Sequence, residues 1–193
     1  MQTYVQHAAL LAALVVIGIP DAALAQTLSE AERNREVVKT FHELMNRGEW
    51  KQAADLVAPD VPHHVSWRGD GKEEVIVSGR TTLTDNLEDI FRTFPDWKME
   101  IVSMVADGDS VVVRCRVSGT HRGVGAKRVN GGFLAGVQPS GKRFQVQHMH
   151  WYVLHDGMIT DHYASRDDLG MTQQLGLLPL PQDPRAQAVR VLE

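Results

Sequence analysis

The hydrophobic positions of the chain follow two different spacings, helical in the first half and alternating in the second. Between residues 29 and 48 apolar side chains recur every three to four positions, behind Ser29 and Glu32 in the spacing of a capping box. Similar spacing recurs in two later stretches, the second of which is ended by Pro95. The pattern therefore predicts three helices, over residues 29–48, 50–57 and 81–94, with one or two brief strands between residues 61 and 79.

Beyond Pro95 apolar and polar residues alternate, which is typical of strands with one covered face. The alternation predicts two β-hairpins, which turn at "DGD" and at "HDG". A glycine-rich stretch between them is expected to be a long loop or flap, and a short helix is expected after the second hairpin. Helices followed by an antiparallel meander indicate an α+β fold, in which the helices cover one face of a curved sheet. The predicted strands cover residues 98–106, 111–120, 143–154 and 158–165.

The alternation also indicates which side chains face the covered side of the sheet. From Val111 to Gly119 every second residue is apolar or small, and His121 continues the same face at the end of the strand. On the next strand one face carries two histidines, and neither face is plainly the solvent side. The residues of that face are Phe144, Val146, His148, His150 and Tyr152.

Four histidines and four aspartates crowd the region between residues 148 and 168. His155 lies in the predicted turn, and the strand alternation separates most of the others. On the last strand, Ile159, Asp161 and Tyr163 are predicted to share one face, opposite Thr160, His162 and Ala164. The four histidines are therefore not expected to form one site.

A metal site is the first alternative for the pair on the penultimate strand. His148 and His150 stand about 7 Å apart along that strand, a spacing at which two imidazoles can reach one metal ion. A mononuclear site normally has a third protein ligand, and the sequence contains no HExxH pattern. Cys115 is the only cysteine, which excludes thiolate clusters, and its apolar neighbours favour a buried thiol over a catalytic one. We predict no metal site.

Composition narrows the class of protein. With 193 residues, of which 43% are hydrophobic and 23% charged, the chain fits one globular domain. Its net charge is −4, and no long run of Lys or Arg provides the basic surface that nucleic-acid binding requires. We therefore expect no nucleic-acid partner.

The N-terminus differs from the rest of the chain. Residues 8–20 contain no charged side chain, and "ALA" at residues 23–25 provides the small residues that signal peptidase accepts. About a dozen apolar residues are too few to span a membrane. The residues before Ala8 contain no Lys or Arg, so an uncleaved anchor and a misplaced start codon stay alternatives. We predict a periplasmic or secreted protein, not membrane-bound after cleavage, with a signal over residues 1–25, a domain over 26–179 and a tail over 180–193.

Four motifs together resemble one family. They are similar to segments of the SnoaL-like polyketide and ester cyclases of the NTF2-like superfamily, and the resemblance covers roughly residues 33–179. It implies an NTF2-like cone, in which a curved antiparallel sheet wraps around the N-terminal helices and encloses a pocket for a small-molecule ligand. It also implies acid/base chemistry without metal or cofactor, which in the cyclases is an aldol-type ring closure. The motifs are "GTHRG" at 119–123, "PSGKRF" at 139–144, "HDGMITDHY" at 155–163 and "DDLGMTQQLGLLP" at 167–179.

The resemblance assigns candidate residues. His150 matches the pocket histidine of the penultimate strand, His121 the histidine of the GTH motif, and His64 the histidine that follows the early "PD" segment. The acid/base aspartate of the cyclases falls on Ala164, so Asp161, Asp167 or His162 would have to replace it. Asp161 can equally be a solvent-facing residue, and Asp167 a helix cap. The predicted catalytic residues are His150, His121, Asp161 and Asp167, and the predicted substrate-binding residues are His64, Trp67, His148, Tyr152 and Tyr163.

Three functions are compatible with these observations. The first is an exported acid/base enzyme of the cyclase, isomerase or lyase type, in which His150, with His121, acts on a small, largely apolar carbonyl compound. The second is a non-catalytic binding protein, favoured by Ala164. The third is an assembly protein whose outer sheet face, with Met149 and Trp151, forms a dimer interface. We favour the enzyme, because a binding pocket alone has little need of several imidazoles, and we expect a homodimer.

Overall fold

The structure is a computed structural model that describes residues 28–67, 73–77, 79–126 and 134–179, without the side chains of residues 63–67 and 73–77. The predicted signal segment and C-terminal tail lie outside these residues. Within the described part of the chain, no helix combines the length and the apolar character that crossing a bilayer requires.

The helices form where the hydrophobic spacing predicts them. The capping box is present, because the backbone N–H of Glu32 donates to Ser29 Oγ and the Ser29 N–H donates to a Glu32 carboxylate oxygen. Thr93 is the last residue of the third helix, two positions before Pro95. The helices are α1 (Glu30–Asn46), α2 (Trp50–Asp55), α3 (Arg80–Thr93) and α4 (Asp168–Gln174).

Six strands form one sheet, in the order β2-β1-β6-β5-β4-β3. The last four strands are the two predicted hairpins, joined as an antiparallel meander. A further hairpin, formed by β1 and β2, joins the edge of this meander, where β1 pairs parallel to β6. The α+β architecture with a curved, unclosed sheet is thereby confirmed. The strands are β1 (Pro62–Trp67), β2 (Glu73–Val77), β3 (Lys98–Asp107), β4 (Ser110–Thr120), β5 (Arg143–His155) and β6 (Met158–Arg166).

The core lies between the concave face of the meander and the helices α1 and α3. On β5 the face that carries His148 and His150 is the buried one, whereas Met149 and Trp151 are exposed. Helix α1 covers this face, with the rings of Phe41 and Tyr152 in edge contact at 5.9 Å between centroids. Burying a side chain of this size contributes roughly 1.5–3 kcal/mol, so such contacts hold α1 over the strand that carries the histidines.

A β-bulge on β6 changes which of its residues face the core. Leu154 pairs with Ile159, but the preceding Val153 pairs with Asp161, so Thr160 is an extra residue without a partner in the ladder. Beyond this point the alternation is reversed. Ile159 and His162 both face the interior, whereas Asp161 faces outward. The predicted common face of Ile159, Asp161 and Tyr163 is therefore wrong, because the prediction assumed uninterrupted alternation.

The predicted loop between the two hairpins is anchored on α3 at its start. The backbone N–H groups of Arg122 and Gly123 both donate to the carbonyl of Thr93. Asp89, which is only 1% exposed, accepts a hydrogen bond from the N–H of Ala126 at 2.8 Å. These contacts seat the beginning of the loop beside the C-terminal end of α3. Residues 127–133 of the loop lie outside the described part of the chain.

Candidate active site

The described residues of α1, α3 and the sheet line a partly open cavity of about 100 Å³. Its helix side is mainly apolar, whereas its sheet side carries histidines, a tyrosine and an arginine. The fold therefore places several polar side chains against an apolar wall. The helix residues that line the cavity are Phe41, Met45, Leu83, Asn86, Leu87 and Ile90, and the sheet side is formed by Trp97, Met99, His148, His150, Tyr152, His162, Ala164 and Arg166.

The polar residues of the sheet side form three rows across β5 and β6. The strand register places His148 opposite Arg166, His150 opposite Ala164, and Tyr152 opposite His162. Residues that are directly opposite in an antiparallel pair share one face of the sheet. The bulge at Thr160 makes this arrangement possible, since without it His162, Ala164 and Arg166 would face outward.

The central feature of the cavity is a hydrogen bond between two histidines. His150 Nδ1 lies 2.9 Å from His162 Nε2, and the two rings are nearly parallel at 14°. One of these nitrogens must donate and the other accept, so the contact persists when the pair is neutral or carries one additional proton, but not two. The pair is therefore suited to holding and releasing a single proton at the cavity wall.

A second hydrogen bond supports the first. Tyr152 and His42 are each 2% exposed, and the Tyr152 hydroxyl lies 2.9 Å from His42 Nε2. Burial lowers the pKa of His42 to about 4 and raises the pKa of Tyr152 well above its ordinary value, so both side chains are neutral near pH 7. The Tyr152 ring stacks on His162 with 4.6 Å between centroids and thus fixes the orientation of that imidazole.

His148 is buried without a hydrogen-bond partner among the residues that the structure describes. Its side chain is 3% exposed, and neither ring nitrogen meets a donor or acceptor among the described residues. Burial, together with the nearby Arg166 cation, lowers the pKa of His148 to about 3. At neutral pH His148 therefore offers one N–H donor and one acceptor nitrogen to whatever occupies the cavity.

Arg166 brings a positive charge into the same region. Its side chain is 4% exposed and forms an ion pair with Asp168, with 2.9 Å between Nη2 and Oδ2. Burial raises the pKa of the Asp168 carboxyl, although the Arg166 cation opposes that shift. Arg166 lines the cavity, whereas Asp168, which is 27% exposed, does not. The cationic residue of the ion pair is therefore the one that borders the cavity.

Comparison with known proteins identifies the family. The sequence model of the SnoaL-like polyketide cyclases matches residues 35–175. The chain belongs to the SnoaL-like polyketide cyclase family. The resemblance drawn from the four motifs is thereby confirmed. No curated protein matches the sequence significantly.

Solved structures show the same fold. A candidate SnoaL-like polyketide cyclase from Jannaschia sp. CCS1 has a TM-score of 0.64 and 19% identity, covering 79% of this chain and 97% of its own. AclR from Streptomyces galilaeus, named as a candidate hydroxylase, has a TM-score of 0.62 and 24% identity, with coverages of 85% and 93%. IdmH from Streptomyces antibioticus, named as a candidate polyketide cyclase, has a TM-score of 0.57 and 25% identity, with coverages of 74% and 98%. The similarity to these structures confirms the predicted NTF2-like cone.

The structure brings three of the predicted site residues together. His148, His150 and Tyr152 line the cavity from β5. The side chains of His64 and Trp67 lie outside the described part of the structure, although the backbone of both belongs to β1. The roles assigned to these five residues stay predictions.

His121 lies away from these residues. It follows β4 by one position, beyond Gly119 and its partner Phe144, and does not line the cavity. Its Nδ1 accepts a hydrogen bond from the backbone N–H of Ser140 at 3.2 Å, and its ring packs on Phe94. Burial lowers the pKa of His121. These contacts give His121 a role in joining the start of the loop between the hairpins to its end.

The predicted carboxylates and Tyr163 also lie outside the cavity lining. Asp161 accepts hydrogen bonds from the His162 N–H and from the Tyr163 hydroxyl. Tyr163 stacks on Trp151, on the outer face of the sheet, with 5.0 Å between centroids. Asp167 is the N-cap of α4, where it accepts from the Gly170 N–H at 2.7 Å. Helix capping was the alternative to a catalytic role that the sequence analysis gave for Asp167.

His42 and Arg166 were not predicted as site residues from the sequence, and His162 was only an alternative. His42 lies four residues after Val38 and three before Met45, so its position on the buried face of α1 was visible in the helical spacing. Arg166 gave no such signal, because its inward orientation depends on the bulge. His162 was considered only as a substitute for the missing acid.

Metal binding finds no support among the described side chains. In that part of the chain, no three His, Cys, Asp or Glu residues are arranged to hold a metal ion. His42, His148, His150 and His162 are near one another, but their contacts are hydrogen bonds and ring packing.

Proposed function

We propose that this protein is an acid/base enzyme of the cyclase, isomerase or lyase type. In this proposal it removes a proton from the carbon next to the carbonyl group of a small, largely apolar compound. The observation that carries the proposal is the 2.9 Å contact between His150 and His162 inside a cavity with a mainly apolar helix side. Membership of the SnoaL-like polyketide cyclase family supports the same class of chemistry.

The proposed proton transfer starts at His150. In the tautomer in which Nδ1 donates to His162, the lone pair of His150 lies on Nε2. Nε2 takes the proton as the substrate C–H bond breaks, and the electron pair moves onto the carbonyl oxygen to give an enolate. His162 then accepts a hydrogen bond from an imidazolium, which is stronger than one from a neutral ring and favours the protonated state.

Ala164 leaves room for the reacting carbon. It lies opposite His150 in the strand pair and lines the cavity, and the motif resemblance predicts the acid/base aspartate of the cyclases at this position. With a methyl group there, no carboxylate is provided from β6 beside His150. The second imidazole, from His162 two residues earlier on the same strand, takes over the role of partner in this proposal.

Exchange of the proton next to the carbonyl tests this proposal without a known product. We would incubate the protein with simple ketones and 3-oxo esters in D₂O and follow loss of the proton signal by NMR. General acid/base catalysis by a positioned side chain contributes roughly 100-fold to 10,000-fold. We expect His150→Ala to lower the exchange rate by at least about 100-fold.

A second histidine variant provides the matched control. His155 is exposed at the end of β5, so His155→Ala should exchange at the wild-type rate. Exchange by the His150→Ala protein at the wild-type rate would show that His150 is not the base. A circular dichroism spectrum of each variant would confirm that the fold is retained.

A non-catalytic binding protein is the second candidate, and Ala164 is the observation that favours it. A cavity that has lost the family aspartate can still bind a small apolar ligand. In that case a ligand would bind at the cavity, and filling it by Ala164→Leu would abolish binding, while no compound would show catalysed proton exchange. Catalysed exchange that depends on His150 decides against this candidate.

We also propose that the protein acts in the periplasm or is secreted. The uncharged stretch over residues 8–20 and the small residues before Gln26 support cleavage by signal peptidase. Expression of the full chain with fractionation of the cells, followed by N-terminal sequencing, tests this. We expect a mature chain in the periplasm or medium that begins at Gln26, whereas an unprocessed chain in the cytoplasm contradicts the proposal.

A further inference from the structure

One end of the cavity combines a buried cation with an imidazole that has no hydrogen-bond partner in the described part of the chain. His148 and Arg166 are direct partners in the β5–β6 register, and both line the cavity. Side chains in such a pair have Cβ atoms roughly 4.5–5.5 Å apart. A single small group can therefore contact both side chains.

His148 lacks the contacts that a buried imidazole normally makes. Buried polar atoms are hydrogen-bonded in the large majority of cases, and an unpaired one destabilises the fold. Both nitrogens of His148 lack a partner among the described residues, although the residue is only 3% exposed. A ligand oxygen in the cavity would give the donor nitrogen its missing acceptor.

The charge of Arg166 decides the sign of that ligand group. Its carboxylate partner Asp168 lies on the outer side, where it borders a separate surface groove with Leu169 and Thr172. Arg166, and not Asp168, is therefore the member of the ion pair that borders the cavity. In an environment with a mainly apolar opposite wall, a positive charge attracts an anion more strongly than it does in water.

We propose that His148 and Arg166 bind a carboxylate of the substrate, so that the substrate is an amphiphilic oxo acid with an apolar body. This inference rests on the proposed function for the position of the reacting carbon. The ring centroids of His148 and His150 are 5.6 Å apart, so the carboxylate end lies a short distance from the base. In this proposal the carbon that loses its proton is one or two carbons from the carboxylate. The apolar body then lies against Leu83, Leu87 and Ile90 of α3.

Binding of hexanoate and hexanamide tests the proposal, because the two probes share size and apolar chain but differ in charge. Their affinities for the wild-type protein at pH 7 would be measured by ligand-observed NMR titration. A charge-assisted contact with two buried donors predicts that hexanoate binds at least about tenfold more tightly. Equal affinities of the two probes would overturn the proposal.

Variants show which residues cause the preference for hexanoate over hexanamide. We expect the paired change Arg166→Gln with Asp168→Asn, which removes both charges together, to abolish the preference for hexanoate. His148→Leu, which removes both ring nitrogens, should reduce it at least about threefold. Arg114→Gln is the control, because Arg114 is exposed on the outer face of β4, and it should keep the wild-type preference. An undiminished preference in the paired variant would overturn the proposal.

The binding experiment and the proton-exchange experiment fail separately. A preference for hexanoate without any catalysed exchange would retain the carboxylate site and reject the enzyme. Catalysed exchange on neutral ketones without a preference for hexanoate would retain the enzyme and reject the carboxylate site.

Discussion

The histidines of the cavity region differ in how each ring is held, and this difference sets their chemistry. His42 contacts the Tyr152 hydroxyl, and His150 contacts His162, whereas His148 has no partner among the described residues. Burial keeps His42 and His148 neutral at pH 7, with pKa values of about 4 and about 3. The folded protein therefore binds fewer protons at these two sites than the unfolded chain does below pH 6.5.

This proton deficit predicts a loss of stability in mild acid. Between pH 6.5 and pH 5 the unfolded chain gains protons on both histidines while the folded protein does not, so the free energy of unfolding falls as the pH falls. Each histidine contributes roughly 2 kcal/mol to that loss at pH 5. Urea unfolding at pH 7 and pH 5 measures this loss in the free energy of unfolding. In the His148→Leu variant the loss should be smaller by the contribution of one histidine. An identical difference in wild type and variant would contradict the assigned pKa.

At the scale of elements, the sequence predicted where helices and strands lie but not how β6 is aligned. The capping box at Ser29 and the alternation from Val111 to Val117 are local patterns, so they could be interpreted without tertiary contacts. The bulge at Thr160 could not, because it depends on pairing with β5. Its reversal of faces placed His162 and Arg166 in the cavity and moved Asp161 out.

The same distinction explains the remaining site residues. Alternation alone predicted that His148, His150 and Tyr152 share one face of β5. Only the position of α1 shows that this face is the covered one. The same position of α1 brings His42 into contact with Tyr152, although His42 does not line the cavity itself. His121 was on a correctly assigned interior face, yet the length of β4 places it beyond the cavity.

The contact between α3 and the start of the loop yields a prediction about Gly123. A Cβ atom at this position would stand 1.9 Å from the carbonyl oxygen of Arg92, which is backbone and cannot move aside easily. Gly123→Ala should therefore destabilise the fold by at least about 2 kcal/mol. Val124→Ala, one residue later and partly exposed, should change stability by less than about 1 kcal/mol. Thermal unfolding of both variants measures this, and equal melting temperatures would show that the segment is not seated on α3.

On the scale of the whole molecule, the outer face of the sheet yields a prediction about assembly. Met149 and Trp151 are 44% and 45% exposed, and Trp151 stacks on Tyr163 to form a flat aromatic surface. Exposed aromatic residues of this kind are enriched at protein interfaces. We expect the protein to sediment as a homodimer and Trp151→Lys to shift it to the monomer. Sedimentation of the wild type as a monomer at high concentration would contradict the prediction.

The whole molecule also shows why membership of a family does not transfer a mechanism. The cone agrees with the SnoaL-like polyketide cyclases, but the motif resemblance predicts their acid/base aspartate at the position of Ala164. Two hydrogen-bonded imidazoles and a buried guanidinium occupy the neighbouring positions. The central claim is therefore that His150 and His162 act as one proton-transfer unit.

A double-mutant cycle on proton exchange tests that claim most directly. The rates of wild type, His150→Ala, His162→Ala and the double variant would be compared on one ketone or 3-oxo ester. Residues that act as a unit are strongly non-additive, so we predict that the double variant exchanges no more slowly than His150→Ala alone. Losses that multiply, or a His162→Ala protein with the wild-type rate, would contradict the paired mechanism.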